Sequence, residues 1–183
     1  MTDTRQPPTA NRQPVPEHFD VLSEDGLPTG VVKDRDAVHR DGDWHRCGHV
    51  WIASGDRVLL QRRALVKESW PGLWDITVAG HVNAGEDSLS AAIREAREEL
   101  GLDLAPSELQ PLGTLRYHVA LRPGYIENEL HDVYLVRREV DVSSLTLDPL
   151  EVAEVRWVAL RDLDAYERVP HDEEYALLLT ALA

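Results

Sequence analysis

Apolar and polar residues alternate along most of the chain, and the alternation gives way to helical spacing in two places. From Phe19, FDVLSEDGLPTGVVKDR reads as two short strands around a turn at Glu24-Asp25-Gly26. HVWIASGDRVLLQRR reads as a hairpin, with strands His49–Ala53 and Arg57–Gln61 joined by Ser54-Gly55-Asp56. LWDITVAG reads as one further strand ending at Gly80, and LGTLRYHVAL, IENELHDVYLVRR and EVRWVAL as three more. Between Ser88 and Gly101 the period lengthens. Leu89, Ala92, Ile93, Ala96 and Leu100 fall on one helical face, with Asp87 or Ser88 suited to cap the start and Gly101 the end. DEEYALLLTAL predicts a second helix. There is no internal repeat. Strands interspersed with helices imply one α/β or α+β domain over residues 18–183, a sandwich around a mixed sheet. Residues 1–17, with four prolines among polar positions, read as a flexible tail.

Composition narrows the classes. At 183 residues and 43% hydrophobic, the chain can bury a sizeable core. It has no apolar run of the roughly 20 residues that would span a bilayer. The opening MTDTRQPPTANRQPVPEHF lacks the apolar centre of a signal peptide, and a cytoplasmic location is the expectation. The single cysteine, Cys47, allows no internal disulfide. A net charge of −14 argues against a nucleic acid polymer as partner, but not against a small phosphorylated one reached through divalent cations.

The first helix carries the chemistry. Glu95, Glu98 and Glu99 stand at i, i+3 and i+4, so their carboxylates converge on one patch and repel by a few tenths of a kcal/mol per pair, on the order of measured helix pairs. Mg²⁺ or Mn²⁺ would relieve that repulsion. Arg94 can reach Glu98 or turn back to Glu86. The wider stretch runs Gly80, five residues, Glu86, seven residues, then Arg94-Glu95-Ala96-Arg97-Glu98-Glu99-Leu100-Gly101-Leu102. It resembles the Nudix box at every charged and glycine position, with Ala96 where a larger aliphatic residue is usual. The resemblance implies an α/β/α sandwich and a metal-dependent hydrolase of phosphoanhydrides. Glu98, Glu99 and the Gly80 carbonyl would be metal ligands, and Glu95 a ligand or the group that handles the attacking water. Arg94 and Glu86 would pin the loop to the helix, which ends at Gly101.

Outside the box, GLPTG, HRDGDWH, QRRALVK, WPGLWDITVAGH and GYIENELHDVY resemble the isopentenyl diphosphate isomerase branch of the same superfamily. That branch builds a second metal site from residues matching His39, His45, His81, Glu127 and Glu129. His39 and His45 are expected on a loop, and Glu127 and Glu129 on one face of a strand. Imidazoles there would favour a transition metal. Arg63 and Lys67 match diphosphate-binding positions, and Tyr117 and Glu129 match active-site positions. The likeness breaks where it matters for isomerisation. Ala79 stands where the catalytic cysteine is expected, and no tryptophan stands near Pro170-His171-Asp172. Glu95 and Glu98 replace an arginine and a tyrosine. Trp70 and Trp74 read as packing at a strand entry. The expected function is therefore a pyrophosphohydrolase with Glu95, Glu98 and Glu129 catalytic, acting on a nucleotide or nucleotide derivative. An isomerase and a non-catalytic binding module are the alternatives, and a homodimer is implied by resemblance alone.

Overall fold

The computed structural model describes residues 16–183, so the expected tail lies outside the described residues apart from Pro16 and Glu17. In chain order the elements are β1 (His18–Leu22), β2 (Pro28–Asp34), α1 (Arg35–Asp41), β3 (Trp44–Ser54), β4 (Arg57–Arg63), β5 (Trp74–Asp75), β6 (Val78–His81), α2 (Ser88–Leu100), β7 (Gln110–Arg122), β8 (Tyr125–Arg137), β9 (Val152–Ala159) and α3 (Asp172–Leu182). Three short 3-10 turns, at Pro106–Glu108, Val142–Ser144 and Leu160–Ala165, link the later elements.

β3 organises the mixed sheet. Along one edge it pairs in parallel with β8, from Trp44 opposite Asn128 to Ala53 opposite Arg137. Along the other it meets three antiparallel partners in succession: β1 at Trp44, β6 over Cys47–Val50 and β4 over Ile52–Ser54. β3 is buried continuously from Cys47 to Ala53, so both of its faces are covered there. Strand alternation divides its residues between two cores. Val50 and Ile52 pack with Ala92, Ala96 and Leu100 of α2. Trp51 and Ala53 pack with Tyr175 and Leu178 of α3. The helices thus cover opposite faces, the expected α/β/α arrangement.

The approach of α2 rests on two glycines. Gly48 and Gly80 are register partners across β3 and β6. A Cβ on Gly48 would lie 2.9 Å from the Ser88 carbonyl oxygen, and one on Gly80 would lie 2.1 Å from Cγ of Glu95. Asp87 is the N-cap of α2, accepting from the Ser90 N–H at 2.9 Å. Gly101 ends the helix at φ 63°, donating to the Ala96 and Arg97 carbonyls.

Two sequence expectations need correction. LWDITVAG is not one strand. β5 pairs with β4 and β6 with β3, and the change of partner occurs at Thr77. Its buried hydroxyl donates to the Leu59 carbonyl at 2.5 Å and accepts the Ile52 N–H at 2.9 Å, replacing the ladder bonds that a continuous strand would make. His39 and His45 are not on a loop. His39 lies in α1, capped by Asp34 and closed by Gly42 at φ 69°. β3 begins at Trp44 rather than His49, so His45 is a strand residue. A seven-residue charged helix with only Val38 and His39 buried has too little apolar periodicity to be read from sequence.

Gly48→Ala should overpack the α2 contact by about 1–3 kcal/mol. For a domain of this size that corresponds to a Tm lowered by roughly 3–10 °C. Thermal unfolding checks this, and an unchanged Tm would remove the close-approach argument.

Candidate functional site

Two polar clusters lie near one another around β3, β6 and β8. The first is on α2. Arg94 is its hub. Nε and Nη2 pair with the two Glu86 oxygens at 3.1 and 2.9 Å, and Nη2 also donates to the His81 carbonyl at 2.9 Å. Nη1 reaches Glu95 at 2.6 Å and Glu98 at 3.4 Å. The alternatives read from sequence are therefore made together, and the loop before the helix is fastened to it. Glu95 packs over Gly80, while Glu99 turns inward to the Gln61 amide at 3.3 Å. Glu98 stays 46% exposed on the solvent side. The three carboxylates thus occupy different depths rather than a single surface patch.

Burial pushes the Glu95 carboxyl up to about 7, against the opposing pull of Arg94. Burial also pushes Glu99 well up, with Glu95 adding to the rise and Lys67 resisting it. Carboxyls held this high lack sufficient positive charge around them, and a divalent cation supplies it.

The second cluster is built from His39 on α1, His45 on β3, His81 on β6 and Glu129 on β8, with one ligand-type atom from each lying within 4.8 Å of the others. Register brings them together: His45 stands opposite Glu129, and Cys47 stands between His81 and His131. The His39 ring nitrogen Nδ1 lies 2.7 Å from the Arg35 carbonyl, and that of His45 lies 3.1 Å from the Asp43 carbonyl. A proton on each Nδ1 leaves Nε2 as the free lone pair. Nε2 of His39, His45 and His81 is buried without a hydrogen-bond partner. Burial lowers the His39 imidazole and holds His81 well below its ordinary range, so both are neutral, the ligand form. Phe19 stacks on His81 and His45 at 4.6 and 5.3 Å, and Tyr125 on His39 at 4.7 Å, fixing the rings. Three unpartnered nitrogens aimed at one carboxylate suit a divalent cation by donor chemistry.

Glu127 points to the same side of β8 but lies outside this group of four. Burial, then the neighbouring Glu129, pushes its carboxyl up to about 7. Arg63 is engaged internally: Nη1 pairs with Asp75 at 2.9 Å, Nε donates to the Ser69 carbonyl at 3.1 Å, and Nη2 to the Ser69 hydroxyl at 3.0 Å. Lys67 pairs with Glu151 at the site's edge. The Tyr117 hydroxyl is buried without a partner, and its ring stacks on His131 at 5.1 Å. Trp70, beside Ser69, adopts φ 49°, a conformation rarely seen outside glycine.

Sequence reading did not find several participants. Arg35, one turn before His39, donates to the Tyr125 hydroxyl at 3.3 Å and pairs with Glu17 and Glu68 at 3.4 Å. Its Nε finds no hydrogen bond. Behind Glu129, a buried group of His131, Glu174, His49 and His171 extends toward α3. For His131 a signal was present, because it follows Glu129 by two positions on one strand. For Glu174, one of three consecutive acidic or aromatic-flanked positions in a helix, there was none. Cys47 is buried, and its register partner is His81, while Ala79 stands opposite His49. Burial, followed by Glu129, Glu127 and Glu95, pushes the thiol well up, so it keeps its proton.

The family model for the NUDIX domain matches residues 45–179. Nudix hydrolase 3 of Arabidopsis thaliana is 45% identical over 147 residues, which is 78% of this chain but only 19% of that protein. Isopentenyl-diphosphate Delta-isomerase of Escherichia coli K12 is 34% identical over 149 residues, covering 80% of this chain and 79% of the enzyme. The crystal structure of DR0079 from Deinococcus radiodurans superposes with a TM-score of 0.66 at 21% identity, over 89% of this chain and 98% of that one, and so shares the fold. With its box residues assembled around Gly80 and Arg94, this chain belongs to the Nudix family.

Proposed function

We propose that the protein is a divalent-metal-dependent hydrolase that cleaves the diphosphate linkage of a nucleoside di- or triphosphate or a related nucleotide derivative. The carrying observation is the assembly of Glu95 and Glu99 at Gly80 and Gln61, with Glu98 at the rim and Arg94 bonded to Glu86. Glu95, Glu98, Glu99 and the Gly80 carbonyl would hold one or more Mg²⁺ or Mn²⁺ ions. His39, His45, His81 and Glu129 would hold another, with Glu127 adjacent. Bound metal supplies charge neutralisation of phosphate oxygens and a lower pKa for water. The chain's own groups then divide the remaining work. Glu129 or Glu95 accepts a proton from the attacking water. Lys67 meets the outer phosphate as a point charge, exchanging its bond to Glu151. Arg63, held by Asp75 and Ser69, shapes the loop that carries Lys67. The unpartnered Tyr117 hydroxyl offers a donor to the substrate.

The four-residue cluster also favours a second reading, allylic diphosphate isomerisation. Ala79 weighs against it, because no ionisable atom stands there and the buried Cys47 thiol lies opposite a different residue. Among the described residues no helix is long and apolar enough to cross a membrane.

Release of phosphate and pyrophosphate from nucleotides, dinucleotides and isopentenyl diphosphate, with Mn²⁺ or Mg²⁺ and with chelator, tests the proposal. Metal-dependent release from a nucleotide subset is expected. Rearrangement of isopentenyl diphosphate with no release from any nucleotide would reverse it. Glu98→Gln and Glu99→Gln should each lower turnover at least about 100-fold while leaving the circular dichroism spectrum unchanged, the scale of losing charge stabilisation in the transition state. Turnover within a few-fold of wild type would dismiss the box as the catalytic centre.

Metal-free stability should depend on pH. Glu95 and Glu127, raised to about 7 when folded, bind protons more tightly than in the unfolded chain. Their contribution is full below about pH 4.5 and is lost as pH rises through 7. His131, held up at about 9 by Glu129 and Glu174 despite burial, adds a loss between about 6.5 and 9. His39, His81 and His171, held low by burial, gain stability over the same range, so Glu95 is read against Glu95→Gln. In chelator the Tm advantage of wild type over that variant should shrink from pH 5 to pH 8, and Mn²⁺ should raise the wild-type Tm at pH 8. A Tm difference between wild type and Glu95→Gln that stays constant with pH in chelator would contradict the raised Glu95 carboxyl.

A further inference from the structure

The buried group between Glu129 and α3 is not used by the hydrolytic scheme, and its geometry is specific. Glu174 lies in the first turn of α3 with 1% of its side chain exposed. Its Oε1 accepts the Trp51 indole N–H at 3.0 Å, and its Oε2 is 2.9 Å from His49 Nδ1 and 3.6 Å from His131 Nδ1. The other nitrogen of His131, Nε2, donates to Oε2 of Glu129 at 2.8 Å. Glu129 therefore has two differently employed oxygens. Oε2 is taken by His131, and Oε1 faces the imidazoles, 3.5 Å from His45 Nε2 and 3.6 Å from His81 Nε2.

Strand register explains the alignment. His131 follows Glu129 by two residues, so both face the same side of β8. His49 stands four residues beyond His45 on β3, on that side also. α3 covers this face through Tyr175 and Leu178, and Glu174, one turn before Leu178, meets the two imidazoles. An isolated carboxylate buried this deeply would cost several kcal/mol, a cost offset only when donors surround it. Trp51 and His49 are those donors, and the His131 imidazole adds a charged neighbour at 3.6 Å. The helix N-terminus adds favourable field for an anion in its first turn.

We propose that His131 and Glu174 are positioning residues for the metal cluster: Glu174 orients His131, and His131 fixes Glu129 so that Oε1 is presented to the cation with His39, His45 and His81. The C-terminal helix is then the outer support of a site whose ligands all come from residues 39–129. The proposal rests on the metal reading of that cluster, and the test separates the two.

Co²⁺ is the probe, because tetrahedral or five-coordinate Co²⁺ bound through imidazoles absorbs visibly. The full chain is titrated with Co²⁺ alone, with His45→Ala as the reference for the cluster. Wild type should show a visible band that His45→Ala abolishes. Glu174→Gln and His131→Phe should each weaken Co²⁺ binding about 10–100-fold, the usual effect of losing an outer partner of a metal ligand. The double variant should be no worse than His131→Phe, since Glu174 acts through His131. His131→Gln, which keeps an N–H donor toward Glu129, should bind more tightly than His131→Phe, an ordering that general loss of structure does not produce. Glu173→Gln, exposed on the same helix, should bind as wild type. A wild-type protein with no His45-dependent band would remove the metal reading and the proposal with it. A wild-type band, with Glu174→Gln and His131→Phe binding as tightly as wild type, would overturn the positioning role alone. Additive losses in the double variant would also overturn it.

Discussion

The missing side chains of Gly48 and Gly80 are the constraint on which the site depends. The two residues stand side by side on adjacent strands, and α2 lies directly on them. Without that approach Glu95 could not pack over Gly80. Arg94 could not reach the His81 carbonyl and Glu86 together. The helix is held there by small apolar residues, Ala92 and Ala96, backed by Leu100, each fully buried. Burying Leu100 alone contributes about 1.5–3 kcal/mol. Packing of ordinary side chains therefore positions the carboxylates, and the glycine pair sets the distance at which they arrive.

The opposite parity of the same strands carries the second chemistry. His45, Cys47 and His49 on β3, His81 on β6, and Glu127, Glu129 and His131 on β8 all point away from α2. A column of polar groups through a core is costly unless each finds a partner. Much of it does: His131 bonds Glu129 and lies 3.6 Å from Glu174, Trp51 and His49 satisfy Glu174, and Asp75 holds Arg63. The Nε2 atoms of His39, His45 and His81 find none, and neither do Nδ1 of His171 and the hydroxyls of Tyr117 and Tyr175. Three of these, the imidazole nitrogens, converge with Glu129, and such a convergence marks a place where a ligand would complete the set.

Legibility in the sequence followed the strength of local signals. α2 was readable to within a residue because its apolar period, its Asp87 cap and Gly101 agree. The carboxylate spacing was readable because charge at i, i+3 and i+4 is geometric. The pairing of Glu127 with Glu129 on one face followed from strand period alone. α1 was not readable, because seven residues with two buried side chains carry no period. The break at Thr77 was hidden because LWDITVAG keeps strand-like composition while exchanging partners. Glu174 was invisible for a different reason: a buried carboxylate on an apolar helix face owes its place to His49, Trp51 and His131, which come from strands more than forty residues away. The Arg63 contacts with Asp75 and Ser69 were similarly beyond reach, and they turn a residue that looks free to bind phosphate into one that shapes a loop.

The relation to isopentenyl diphosphate isomerase then becomes a question of which atoms can exchange protons. An isomerase needs an acid and a base on the two sides of a carbon skeleton. Here Glu129 is present, but Ala79 supplies nothing on the other side. Cys47 does not repair the loss. It stands opposite His81 in register, and burial, reinforced by Glu129, Glu127 and Glu95, keeps it protonated. His171, packed against Tyr117 at 5.0 Å and near Asp75, gives that region polar edges where an apolar skeleton would gain little. On α2 the changes run the other way, since Glu95 and Glu98 add two carboxylates to Glu99. Under the proposed reading the carboxylates of α2 would hold metal, while Ala79 offers no group for proton transfer to carbon. On that reading, diphosphate stays the group addressed, with water as the partner in the reaction.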